Sequence, residues 1–130
     1  MVFTLPVEDI RPTQLLVSAA KYREVLGWLD NEDPEYESLP VLELDGAWYL
    51  SDGHTRALAL YLTGETELRV ERDPAREDLD LALYRECISW CENEGVTVVP
   101  DIVGRVVSEE VYRDRLLRRC QRAADRLGRD

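Results

Sequence analysis

Between residues 41 and 62 the hydrophobic pattern changes period twice, and this stretch limits what the chain can become. Val41-Leu42-Glu43-Leu44 and Ala47-Trp48-Tyr49-Leu50 flank the pair Asp45-Gly46. Two apolar runs around Asp-Gly predict a β-hairpin, because a type I′ turn needs positive φ at both central residues and this pair tolerates it. The second strand runs into Ser51-Asp52-Gly53, after which Ala57-Leu58-Ala59-Leu60-Tyr61-Leu62 leads to Gly64. A short helix that is nearly all apolar has no face for water and must be covered on every side. A hairpin feeding such a helix therefore needs further elements to enclose both.

The remaining chain supplies them. Phe3-Thr4-Leu5 reads as an opening strand, with a turn near Ile10 and Pro12. Ser18 is placed to cap a helix whose apolar positions are Tyr22, Val25, Leu26 and Leu29. Residues 31–38 hold Glu32, Asp33, Glu35 and Glu37 around Pro34, a solvated connection or a weak cation site. Leu68-Arg69-Val70-Glu71 alternates as a strand does, and 72–78 is a polar connection containing Pro74. Asp78 or Asp80 then caps a helix striped by Leu81, Tyr84, Cys87, Ile88 and Cys91, with Gly95 as its stop. Val96 to Val99 is short and apolar, and Pro100-Asp101 begins a brief helical turn. The last helix follows Ser108, with Tyr112, Leu116, Cys120, Ala123 and Leu127 on one face and Arg118, Arg122, Arg126 and Arg129 opposite. That basic face is read as solvated or docked on the acidic body, in preference to an acidic partner or nucleic acid.

At 130 residues, 45% of them hydrophobic, the chain is one domain with a real core, despite 33% charged residues. Its 16 basic and 27 acidic side chains leave a net charge of -11, which disfavours broad contact with nucleic acid. The balance is uneven: 8 basic against 21 acidic in residues 1–100, and 8 against 6 in residues 101–130. No run approaches the roughly 18 apolar residues of a membrane span, and Met1 to Pro6 lacks a basic region followed by an apolar run. The expectation is a soluble, cytoplasmic protein with no membrane partner. Cys87, Cys91 and Cys120 are odd in number, and the first two are four apart in a helical pattern. They are read as buried thiols in a reducing compartment, with neither a disulfide framework nor a metal site. Trp28 and Trp90 are read as packing residues.

The strand-to-helix junction at 50–57 concentrates the chemistry. The first amides of a helix have no intrahelical acceptor and lie at the positive end of its dipole, so an anion is stabilised there. Gly53 lets a ligand approach the backbone, Thr55 adds a hydroxyl, and Arg56 offers a planar fork suited to phosphate. His54, the only histidine, is a candidate to donate to a phosphate or move a proton. The plainer alternative is that Asp52 caps the helix, Gly53 turns the chain, His54 lies on the surface and Arg56 pairs with a carboxylate.

Asp52-Gly53-His54-Thr55-Arg56-Ala57, preceded by the Pro40-Val41 strand and hairpin and joined by Ile10-Arg11-Pro12-Thr13-Gln14, resembles the ParB/sulfiredoxin superfamily over about residues 2 to 71. In that superfamily this junction holds the phosphates of a nucleotide. His54 stands where sulfiredoxins carry a reactive Cys, and only Arg56 remains of the Arg-rich box of ParB partition proteins. The closest motif is that of ParB-like free serine kinases, with Asp52, Gly53, His54 and Arg56 matched and Thr55 replacing a His. The resemblance aligns Gln14 with a Glu used there as base, and an amide cannot take a proton from a hydroxyl. Glu8 or Asp9 would substitute, or the chain binds nucleotide without that chemistry.

These readings give an α/β (α+β) fold: a small mixed sheet with packed helices, a ParB/sulfiredoxin-like core at 1–75 and a helical extension at 76–130 in the same domain. The resemblance implies a nucleotide, ADP, ATP or CTP with Mg²⁺, held by Gly53, His54, Thr55, Arg56 and Gln14. Asp52 and His54 are the catalytic candidates for phosphate transfer to a small hydroxyl compound such as free serine. The alternative is a non-catalytic module whose nucleotide or anion site regulates association with a partner or DNA, or assembly into a homo-oligomer.

Overall fold

A computed structural model describes residues 1–29, 35–73 and 81–128. Among these residues the strands are β1 (Val2–Pro6), β2 (Ile10–Arg11), β3 (Val17–Ser18), β4 (Leu39–Leu44), β5 (Ala47–Leu50), β6 (Glu67–Arg72) and β7 (Val106–Val107). The helices are α1 (Ala19–Trp28), α2 (His54–Leu62), α3 (Leu81–Asn93), α4 (Glu109–Tyr112) and α5 (Arg118–Leu127). The fold is mixed α/β. Its main sheet runs β1-β6-β4-β5-β2, and β3 pairs in parallel with β7 in a second, two-stranded sheet.

The hairpin forms as its turn residues require: Asp45 and Gly46 sit at φ 53° and 83°, and β4 pairs antiparallel with β5 from Val41↔Leu50 to Leu44↔Ala47. β6 lies between β1, antiparallel, and β4, parallel. Its alternation is clear, with Leu68 and Val70 buried and Glu67, Arg69 and Glu71 exposed. Those two side chains join Leu39, Val41 and Leu50 beneath Ala57 and Leu60 of α2, where each is fully excluded from water. Burying a Leu or Val side chain contributes about 1.5–3 kcal/mol, so this layer is what anchors the junction ahead of α2.

Leu58, on another face of α2, belongs to a second core with Leu16, Val17, Trp90, Ile102 and Leu116. The 3₁₀ segment Val99–Arg105 packs on α2, and Val99 reaches into the first core. The apolar part of α2 is thus covered by the sheet on one side and by Leu16, Val17 and residues beyond 85 on the other, but the cover expected on every side is incomplete, since Leu62 at the end of the helix is 49% exposed. Ser18 caps α1 by accepting the Lys21 amide at 3.4 Å, and its hydroxyl also donates to Glu109 at the start of α4. Ser108 caps α4 by accepting the Val111 amide at 3.2 Å. A π-helical turn, Arg113–Leu117, joins α4 to α5.

Some expectations shift. Val25 on α1 and Leu29 just after it are buried, whereas Leu26 is 41% and Trp28 51% exposed. The covered stripe is narrower than the apolar pattern suggests, because only one side of α1 meets α2 and the β3–β7 pair. Trp90 is buried on α3 while Leu81 stands 38% exposed. Arg72 continues β6 and does not open the connection. The basic face of α5 is partly docked, with Arg126 paired to Glu86 of α3, and Arg118 is tied to Asp114 at 2.9 Å. The acidic residues Glu32 and Asp33, the cap candidates Asp78 and Asp80, and Arg129 lie outside the described residues. Among the described residues, no helix is long and apolar enough to cross a membrane.

Candidate functional site

β5 ends at Leu50 and α2 begins at His54, so the chain must reverse direction within three residues. Gly53 makes that possible at φ 81°, ψ 21°, a left-handed conformation costly for any residue with a Cβ. A Cβ there would lie 2.9 Å from Nη2 of Arg56 and 3.0 Å from Cδ2 of Leu39. The backbone is therefore pressed against the core on one side and covered by the Arg56 guanidinium on the other.

Asp52 does not cap α2. Its Oδ1 accepts the Gly53 amide at 2.8 Å, one residue before the helix, and the N-cap residue is Gly53, which has no side chain to offer. Ala57 is the first amide to bond back along the helix, to Gly53 O at 2.9 Å. The amides of His54, Thr55 and Arg56 have no acceptor among the described residues. Nor does the Arg56 guanidinium make a hydrogen bond or ion pair among them. Arg56 borders a second opening shared with Glu37, Glu71 and Asp73, yet none of these closes on it as a salt bridge.

His54 occupies a different place from a surface proton carrier. It is 3% exposed, and its Nε2 accepts the backbone N–H of Thr13 at 2.9 Å. That bond places the ring proton on Nδ1, which is buried with no partner among the described residues. Burial lowers its pKa to about 4, against a smaller opposing effect of the Asp52 carboxylate, so the ring is neutral near pH 7. Thr13 also donates through Oγ1 to Leu50 O at 2.7 Å, holding both ends of the junction from one residue.

Residues 52–56 open onto a cleft of about 300 Å³. Gln14 lines it, its side-chain amide donating to Leu16 O at 2.7 Å, so all the residues expected at a site come together here. The opposite wall is one face of α1: Lys21, Glu24, Val25 and Trp28. Tyr112 closes one end, with the Lys21 ammonium 5.3 Å from its ring centroid. Burial is the main cause of the raised Tyr112 pKa, with nearby Cys120, Glu109 and Asp52 adding to it.

Sequence reasoning misses this second wall. The spacing of Lys21, Glu24, Val25 and Trp28 marks a single helical face, but nothing local says what that face meets. Thr13 is missed too, an unremarkable residue in a short connection. Glu8 and Asp9, the alternative carboxylates, lie exposed in the turn Val7–Asp9, away from the cleft.

The cysteines take no part. Cys87 and Cys91 are buried, Cys120 is partly buried, and all three are free thiols. Burial pushes Cys91 up to about 12. No group of three or more His, Cys, Asp or Glu is gathered among the described residues. Trp90 packs in the second core beneath the Arg119 guanidinium, 4.0 Å from its ring centroid.

No family model matches the chain, and no curated protein matches it. Among solved structures it is similar to protein Atu1540 from Agrobacterium tumefaciens, with a TM-score of 0.46 and 19% identity, over 74% of this chain and 49% of that one. The chain thus spans about half the length of that protein.

Proposed function

We propose that the cleft binds the phosphates of a nucleotide, ADP, ATP or CTP, at the N-terminus of α2. The observation that carries this reading is the junction itself. Three uncapped amides and the Arg56 guanidinium share one opening without a protein acceptor among the described residues, and Lys21 adds a second cation to the cleft. An Arg in the first turn opposes the helix dipole by a few tenths of a kcal/mol, whereas an anion between it and the amides turns both into stabilising contacts. The likeness of residues 52–57 to the ParB/sulfiredoxin motif supports the same ligand.

The finer reading is transfer of phosphate to a small hydroxyl compound such as free serine. Phosphoryl transfer is mostly positioning and charge stabilisation, and Mg²⁺ arriving with a nucleotide needs only one or two protein carboxylates. Asp52 and Glu24 both line the cleft and would serve, one toward the metal and one toward the acceptor hydroxyl. A second reading, nucleotide binding without transfer that regulates association with a partner or DNA, is favoured by the state of His54. Its Nε2 is already bonded to the Thr13 amide and burial lowers its pKa to about 4, so near pH 7 it neither takes up nor relays a proton.

Thermal shift with ADP, ATP and CTP, with and without Mg²⁺, tests the shared step on the native chain and on Arg56→Ala. A ligand at a hundredfold excess over Kd adds about 2.7 kcal/mol, a rise of several degrees, and the substitution should abolish most of it. No shift with any nucleotide would overturn the proposal. Where one binds, phosphoserine formed from serine separates transfer from binding alone.

A further inference from the structure

We infer that Trp28 is the platform for the ligand's aromatic ring, so that the cleft selects a nucleoside polyphosphate over inorganic polyphosphate or a phosphorylated aliphatic compound. This rests on the phosphate reading of the α2 N-terminus and adds to it a specificity-determining residue on a different element.

Trp28 ends α1, is 51% exposed and lines the same cleft as the uncapped amides. Trp48 and Trp90 are covered to a greater extent, so Trp28 is the indole that presents a large surface to water at this opening. Lys21 and Trp28 stand seven positions apart on one face of α1, which at 1.5 Å per residue separates ammonium-bearing and indole-bearing backbone by about 10 Å. A ligand that engages the cationic part of the cleft and the indole together needs an anionic end and a planar end at about that separation. Glu24 sits between them on the same face, a carboxylate that accepts hydrogen bonds from hydroxyl groups of a ligand. A second buried feature points to a ligand at the junction: His54 lines the cleft with Nδ1 unpartnered among the described residues, although the ring is 3% exposed. Unpaired buried donors are rare enough in folded proteins to call for an explanation, and a bound acceptor would supply one.

Stacking on an aromatic side chain changes affinity by about tenfold or more and is tolerant of base identity. The test compares ATP with inorganic tripolyphosphate on the native chain, Trp28→Leu and Trp28→Phe, reading Kd by calorimetry and the quenching of Trp emission. Trp28 as platform predicts that ATP binds the native chain about tenfold or more tighter than tripolyphosphate and quenches emission, whereas tripolyphosphate does not. Trp28→Leu should bring ATP down to the tripolyphosphate affinity and leave tripolyphosphate unchanged, and Trp28→Phe should restore most of the difference. Equal affinities in the native chain, or equal losses for both ligands in Trp28→Leu, would overturn the platform and leave the anion site standing. Failure of both ligands to bind the native chain removes the phosphate reading and this inference together.

Discussion

The backbone N–H of Thr13 donates to Nε2 of His54 across 41 positions of sequence, and Oγ1 of the same threonine donates to Leu50 O. One small residue in the connection before α1 thereby fixes both the end of β5 and the first residue of α2. His54 acts here as an acceptor, which it can be only while neutral. With a folded pKa of about 4 against an ordinary value near 6.5, the unfolded chain binds the extra proton more readily. Stability is therefore full above about pH 6.5 and is lost as pH falls toward 4, by up to about 3 kcal/mol. Urea denaturation between pH 7 and 4 should show this slope in the native chain and lose that part of it in His54→Gln.

Gly53 and Gly46 share nearly the same positive φ, 81° and 83°, yet a side chain at the two positions meets different surroundings. At Gly46 nothing lies within 4 Å of an added Cβ, whereas at Gly53 it meets Leu39 at 3.0 Å. Gly46→Ala should cost about 1 kcal/mol of backbone strain alone. Gly53→Ala should cost roughly 2–4 kcal/mol, because overpacking adds to the strain. Chemical denaturation of the two variants side by side measures the difference, and equal losses would mean that Leu39 yields freely.

Leu58 faces the second core while Ala57 and Leu60 beside it face the first. A chain cut to residues 1–75 would leave Leu58, Leu15, Leu16 and Val17 without the cover they have from Trp90, Ile102 and Leu116. That fragment should show no cooperative thermal transition by circular dichroism, in contrast to the whole chain. A sharp transition would make the extension an accessory layer.

Ser18, fully buried, accepts the Lys21 amide and donates to Glu109. Ser18→Ala removes a helix cap and a link between α1 and α4 in one step, and should destabilise by about 1–2 kcal/mol. Glu109→Gln keeps an acceptor for the hydroxyl, so its denaturation midpoint should fall less.

Where local chemistry sets geometry, the reading from residues agrees with the structure. Asp45-Gly46 makes its turn, Ser18 and Ser108 cap their helices, and Gly95 ends α3 at φ 74°. Asp52 is the instructive exception, since an Asp before a helix looks like a cap. One intervening glycine in the left-handed region turns the carboxylate onto Gly53 itself and leaves the first turn of α2 uncapped. His54 looks like surface chemistry in a polar motif, but Thr13 reaches it from another segment and the ring is covered.

The sequence by itself determined the hairpin, the longer helices and the junction between β5 and α2, because turn angles, caps and apolar runs act over a few neighbouring residues; the two-residue strands β2, where a turn was expected, β3 and β7 exist only through pairing with distant segments. It also placed 52–56 and Gln14 among the residues to watch. Only the tertiary structure decided that α1 would supply the facing wall, that Trp28 would stand half in water, and that His54 would be a buried acceptor. A helical face can be read from spacing, but what it faces depends on segments tens of residues away, brought together by burial of the common core.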